Sequence, residues 1–287
     1  MKNKHLNHIF ELLLATLFIS TSGVLGKYIE MPPPVIVWWR SFLAMVLLYI
    51  YCKYKQINLK ITSPKDIGTF VLGAVFMGAH WITYFYALKR SNVALGMLSL
   101  YTFPVITAFL EPLFLKTKFN PIHIVLGVIV LCGIYILAPE FNLESAHMQG
   151  IGFGLISALC YSLRILIMKQ QIATYNATAL MFYQVLFISI LLVPTLFFMN
   201  TANIETQYPY VLLLALLTTA IGHTLMVQKL HYFSVATASI ISSVQPIFGI
   251  VLAFLFLSEV PTPKTFFGGL LILSTVVIES IRSKKKN

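Results

Sequence analysis

Ten apolar stretches, each roughly 18 to 24 residues long, take up most of this 287-residue chain. Bounded by polar breaks, they lie near residues 8–29, 34–52, 66–88, 92–115, 121–138, 149–170, 177–199, 208–228, 234–257 and 263–281. At about 1.5 Å of rise per residue, each is long enough to cross a hydrocarbon core about 30 Å thick as a helix. No water reaches the backbone there, so only helices or closed barrels can span it, and runs this long without alternation select helices. With 58% hydrophobic and 10% charged residues, the chain cannot cover a soluble globule with polar surface. The reading is an all-α polytopic membrane protein with ten transmembrane helices.

The ten stretches divide into five and five. ALKRSNVALGMLSLYTFPVITAFLEPLFL, from Ala87 to Leu115, returns as KLHYFSVATASIISSVQPIFGIVLAFLFL, from Lys229 to Leu257. A constant offset of 142 residues puts Val93 on Val235, Ala94 on Ala236 and Pro104 on Pro246, and without any gap also Ser20 on Ser162, Lys27 on Lys169 and Gly127 on Gly269. An odd number of spans per unit forces the second unit into the bilayer upside down, so the expected architecture is two inverted five-helix repeats around a central cavity. Residues 1–140 form the first repeat, 147–281 the second, and 282–287 a basic tail.

Lysines and arginines set the orientation. With the N-terminus in the cytoplasm, fourteen fall on inside segments, and four, Lys27, Lys89, Arg90 and Lys264, on outside ones. Both termini are therefore expected in the cytoplasm. The net charge of +11 reads as the cytoplasmic rim of a membrane protein and calls for no nucleic acid. Glu11 interrupts the first apolar run and no small-x-small cleavage site follows, so that run reads as a helix and not as a signal peptide. Cys52, Cys132 and Cys160 have no metal-ligand spacing and read as packing residues.

Polar side chains inside apolar spans nominate the functional positions. The third span sets Gly73, Met77, His80 and Tyr84 on one face with Trp81 beside it, a surface able to stack on and hydrogen-bond a small solute. The fourth carries Tyr101, Pro104, Ala108 and Glu111 at spacings of three, four and three. Glu111 is either a headgroup-level carboxylate paired with Lys116 or a proton-coupling group. The sixth carries Gly150, Gly154, Ser157, Tyr161, Arg164 and Met168 on one stripe. Gly150 and Gly154 allow close helix contact, whereas Arg164 is a full charge well inside the span and points to a cavity wall. Arg40, several residues inside the second span, fits either an interface anchor or the bundle interior. Tyr183 and Gln184 offer interhelical hydrogen bonding, and His223 falls on Trp81 by the 142-residue offset. The ninth span shows Ala238, Ser242, Gln245 and Gly249 on one face, while the fifth and tenth read as lipid-facing scaffold.

Two stretches, SNVALGMLSLYTFPVITAFLEPLFL and SVATASIISSVQPIFGIVLAFLFLSE, each join a small-residue run, a central Pro and an apolar run; Glu259 closes the second, while position 117 of the first half is Thr. In these the chain resembles the EamA-type branch of the drug/metabolite transporter superfamily. The resemblance implies a ten-helix basket around a central cavity, alternating access, and export of amino acids or other small metabolites.

The expected function is a secondary transporter, an exporter, of a small polar metabolite such as an amino acid or organic anion. Arg164 would hold an anionic group, with His80, Tyr84 and Trp81 on one side and Tyr161, His223 and Gln245 on the other; Tyr101 and Ser242 are further candidates. Pro104 and Pro246 would let their helices bend during gating, and His80, His223 or Glu111 could couple transport to protons. Proton-coupled efflux of amphipathic drugs is the alternative on the same fold, and an intramembrane enzyme the alternative of another class. No HExxH, aspartate pair or Walker motif supports the enzyme, so no catalytic residue, metal or cofactor is expected. The partners expected are the solute and the lipid bilayer, the oligomeric state a monomer or homodimer, and the location a bacterial cytoplasmic (inner) membrane.

Overall fold

The computed structural model describes residues 2–115, 120–137, 142, 144–168, 171–229, 232 and 242–284. Lys116, Glu140, Ala238 and the end of the basic tail lie outside them. The described residues are helical and contain no strand: α1 (Lys2–Tyr28), α2 (Pro33–Tyr54), α3 (Pro64–Arg90), α4 (Val93–Leu100), α5 (Phe103–Leu115), α6 (Ile122–Leu137), α7 (Ala146–Met168), α8 (Ala177–Leu191), α9 (Thr195–Phe198), α10 (Ile204–Leu213), a π-helical segment Leu214–His223, α11 (Thr224–Lys229), α12 (Gln245–Leu257) and α13 (Pro263–Lys284). Among the described residues seven helical stretches are long and apolar enough to cross a membrane, and Ile122–Leu137, Gln245–Leu257 and Pro263–Ile278 are shorter apolar helices. The protein is an integral, polytopic membrane protein.

The bundle has two ends, here called proximal, where α1 begins, and distal, where it finishes. At the proximal end Lys229, closing α11, forms an ion pair with Glu11 of α1. There too Asp66, in the first turn of α3, accepts from the Tyr175 hydroxyl and from Gln171 Nε2. At the distal end Lys27 Nζ donates to the carbonyls of Leu88 (2.7 Å) and Ser91 (2.5 Å), and Lys89 Nζ to that of Ile29. A lysine ammonium on carbonyls at a helix C-terminus satisfies acceptors that have no intrahelical donor and opposes the negative end of the helix dipole.

Helices from the first half pack mainly on helices from the second. α3 lies along α7 and α1 along the π segment, while α4 and α5 cross α7 and α12 crosses α1. Gly150 and Gly154 let α7 approach closely: a methyl group on either would come within 2.5 Å of the Cβ of Ser91 or Ser99. α6 and α13 pair with each other, and their outer faces, including Ile124, Val128, Leu131, Phe266 and Leu270, are exposed as lipid-facing surface. Cys52 is buried as expected of a packing residue, but Cys132 lies exposed on that outer face and Cys160 is half-buried.

Two local departures from regular helix matter for the interior. The fourth apolar stretch is not one helix: α4 ends at Leu100, Tyr101 and Thr102 form a turn, and α5 begins with Phe103-Pro104. Pro104 thus sits in the first turn of a helix, where its missing N–H breaks no intrahelical bond. Pro246 occupies the matching place in α12. The second departure is the ten-residue π segment, in which the adjacent Thr218 and Thr219 both turn their hydroxyls to one guanidinium, that of Arg40.

Candidate functional site

A cavity of about 370 Å³ occupies the middle of the bundle and extends toward the proximal end. Its deep wall is formed by Ile19, Ser22, Trp81, Tyr84 and His223, and its proximal part by Glu111, Met168 and Ile172. Distal to the cavity the Met97 side chain packs as a plug between Gly23 of α1 and Gly249 of α12, and a methyl group on either glycine would meet it. Beyond that plug, Glu259 Oε2 accepts from the Val93 N–H (2.7 Å) and Asn92 Oδ1 from the Leu95 N–H (2.8 Å), so both side chains cap the start of α4.

The cavity brings together every candidate substrate-binding residue of the sequence: Arg164, Tyr161, His80, Trp81, Tyr84, His223, Gln245, Tyr101 and Ser242, with Glu111 nearer the mouth. Pro104 and Pro246 are not in its lining.

Arg164 projects from α7 and is 7% exposed. Its Nη2 donates to Gln184 Oε1 (2.6 Å) and lies 3.6 Å from Met181 Sδ, while Nε has no hydrogen-bond partner. Among the described residues it forms no ion pair, so a neutral amide and a thioether hold a cation out of water. A guanidinium so placed has unused capacity for a carboxylate or phosphate, which it binds with paired N–H donors.

His80, on α3, lies against α7. Ser157 Oγ donates to the His80 carbonyl oxygen (2.8 Å) and stands 2.7 Å from His80 Nδ1. With the single hydroxyl proton committed to the carbonyl, the oxygen accepts from Nδ1–H, which leaves Nε2 as an acceptor. The His80 ring stands 4.7 Å from Tyr161, whose ring is 5.8 Å from the Arg164 guanidinium carbon. On the other side Trp81 and His223, which the 142-residue offset superposes, meet with ring centroids 5.6 Å apart. Tyr101, in the turn between α4 and α5, places its hydroxyl 2.6 Å from the Ser242 carbonyl and 2.9 Å from Gln245 Oε1, and Ser20 Oγ reaches the Gln245 carbonyl (3.1 Å).

Arg40 is in protein interior, neither at an interface nor in the lining. It is 1% exposed, its guanidinium carbon stands 3.9 Å from the Trp81 ring centroid, and Nε and Nη2 donate to Thr218 and Thr219 at 2.8–3.0 Å. The substrate-site candidates did not include Ser22, Phe103 and Met226, which line the cavity. The repeat would have pointed to them: each lies 142 residues from a lining residue named above, Ser22 from Arg164, Phe103 from Gln245 and Met226 from Tyr84.

The family model of EamA-like transporters matches residues 7–138 and again 148–280. The chain belongs to the EamA-like transporter family. Among curated proteins, an uncharacterized transporter of Clostridium kluyveri is 26% identical over 295 aligned positions, covering 96% of this chain and 94% of that one. Protein RarD of Salmonella typhi is 23% identical over 115 residues, a match spanning about two fifths of each chain (40% and 39%). A Rickettsia felis protein named an S-adenosylmethionine uptake transporter is 29% identical over 113 residues, 39% of this chain and 38% of its own length. A crystal structure at 12% identity superposes with a TM-score of 0.67 over 98% of this chain and 97% of the other, a likeness of fold.

Proposed function

We propose that this EamA-like transporter is a secondary carrier of a small organic anion or zwitterion, bound in the central cavity with its acidic group on Arg164. The observation that carries the reading is a guanidinium that lines the cavity, held by neutral partners and with no ion pair among the described residues. Burying a charge costs several kcal/mol unless it is paired, and an anionic solute supplies the pair. Tyr161, His80 and Gln245 would orient the remainder. The alternative cargo, a cationic amphipathic drug, would have to bind against the same charge.

The mechanism proposed is alternating access between two inverted five-helix repeats. In support, lining residues come in pairs 142 apart, Ser22 with Arg164, Trp81 with His223, Tyr84 with Met226 and Phe103 with Gln245. The packing pairs of α3 with α7 and of α1 with the π segment exchange under the same relation. If both termini lie in the cytoplasm of a bacterium, as the lysine and arginine distribution leads one to expect, Met97 and Glu259 would form the outward closure of an inward-facing state. Pro104 and Pro246, at matched helix starts, would allow α5 and α12 to tilt when the plug opens. Export is the direction implied by the resemblance, whereas the Rickettsia felis relative is named for uptake.

The test is flux. Purified protein in vesicles loaded with a small-metabolite extract should release one or more acidic or zwitterionic solutes faster than protein-free vesicles. Loss of a solute without its appearance outside would point to an enzyme. Release of neutral or cationic solutes alone would remove the role given to Arg164.

A further inference from the structure

The cavity lies between two guanidiniums, and the second is not used by the reading above. Arg40 stands behind Trp81, whose ring lines the deep wall, and its partners are two threonine hydroxyls and an aromatic face. Its Nη1 is buried with no hydrogen-bond partner, and among the described residues it forms no ion pair. The carboxylate of the lining, Glu111, is four residues from the end of α5, about 6 Å of helix, whereas Trp81 is 17 residues, about 25 Å, into α3. The deep end of the cavity therefore carries a positive charge that the acid at the mouth does not offset.

The two cations lie along the cavity axis. Gln184, which holds Arg164, is beside Gly73, and from Gly73 to Trp81 α3 rises about 12 Å. A carrier has to pass through a state in which cargo and site are both shut off from water, and each uncompensated charge then costs several kcal/mol. Arg40, 1% exposed, is already shut off from water, and a singly charged solute on Arg164 leaves it uncompensated.

Resting on the anion reading, we propose that the preferred cargo is a dianion of extended shape, with one acidic group on Arg164 and the second near Trp81, in the field of Arg40. Arg40 is in this view a specificity-determining residue that acts through Trp81 and not by contact. Its field acts on both ends of such a solute and on only one charge of a monoanion.

The experiment measures binding of adipate and hexanoate, equal in chain length and differing in one carboxylate, to the purified protein in lipid nanodiscs. The wild type should bind adipate about tenfold more tightly or better, since an extra charge pair in a poorly solvated site contributes at that scale. Arg40→Gln should shrink the ratio to within about threefold, and Arg40→Lys, which keeps the charge, should retain most of it. Equal binding of the two acids by the wild type overturns the proposal while leaving the anion reading standing. That comparison needs no variant, so a folding failure of Arg40→Gln does not shield it. An unchanged ratio in folded Arg40→Gln also overturns it. If neither acid binds the wild type, the anion reading and this one fall together.

Discussion

Arg40 and Arg164 have the same side chain, comparable burial and no ion pair among the described residues, yet their surroundings differ in kind. Arg40 is clamped: two hydroxyls face its N–H groups on one side and the Trp81 ring covers its face at 3.9 Å. Arg164 has an amide and a thioether at Nη2 and the Tyr161 side chain beside it, and it lines a cavity. Burial alone therefore does not mark a ligand-binding charge. What separates the two is whether protein groups fill the space around the donors or leave room for a solute.

That contrast can be broken by substitution. The largest expected effect is on Arg164: exchange for Gln should lower anion affinity by about a hundredfold or more, as removal of one partner from a desolvated charge pair does, with little change in thermal stability. Binding titrations alongside melting curves check it, and a large melting change with intact binding would reverse the roles given to the two arginines. Arg40→Ala should act mainly on the fold and destabilise it by about 3 kcal/mol or more, the scale of a buried cation–π contact together with charge-assisted hydrogen bonds to two threonines. Unfolding in mixed micelles would show it.

A smaller effect sharpens the Arg164 side. Gln184→Leu removes the acceptor at 2.6 Å and leaves Arg164 more dependent on the solute. Stability of the empty protein should fall by about 1–3 kcal/mol, and added anion should recover part of that in a melting assay. No recovery would mean that the solute does not reach the guanidinium. The smallest expected change is Ser157→Ala, at about 1 kcal/mol. It leaves His80 Nδ1 only the longer contact to the backbone carbonyl of residue 157 (3.3 Å), so the Nδ1–H tautomer is held less firmly, which nitrogen-resolved NMR of the imidazole would detect as a second tautomer. An unchanged tautomer would show that Ser157 does not set it.

Much of this was legible in the sequence, for physical reasons that can be named. A charge such as Arg164 or an imidazole such as His80 in an apolar span is expensive unless it faces the interior, so each announced a wall of the cavity. His223 was found twice, by polarity and by its register with Trp81, and the two rings do meet. Phe103 and Met226 were not legible because a phenylalanine or methionine in a membrane helix is ordinary taken alone. The turn at Tyr101–Thr102 is also hidden in the sequence, since Pro104 lies in the first turn of the helix after it and not in the turn itself. The π segment has no local signal in LALLTTAIGH. Its threonines face Arg40, a residue about 180 positions away in the chain (178 to Thr218), and no window on one helix contains that contact.

The measurement that bears most directly on the central claim compares release from vesicles loaded with a small-metabolite extract and carrying wild type, Arg164→Lys or Arg164→Gln. A carrier that grips an acidic group through Arg164 should release the same acidic or zwitterionic solutes from wild type and, more slowly, from the lysine variant, and at the protein-free rate from the glutamine variant. Release of those solutes by folded Arg164→Gln at the wild-type rate would contradict the account.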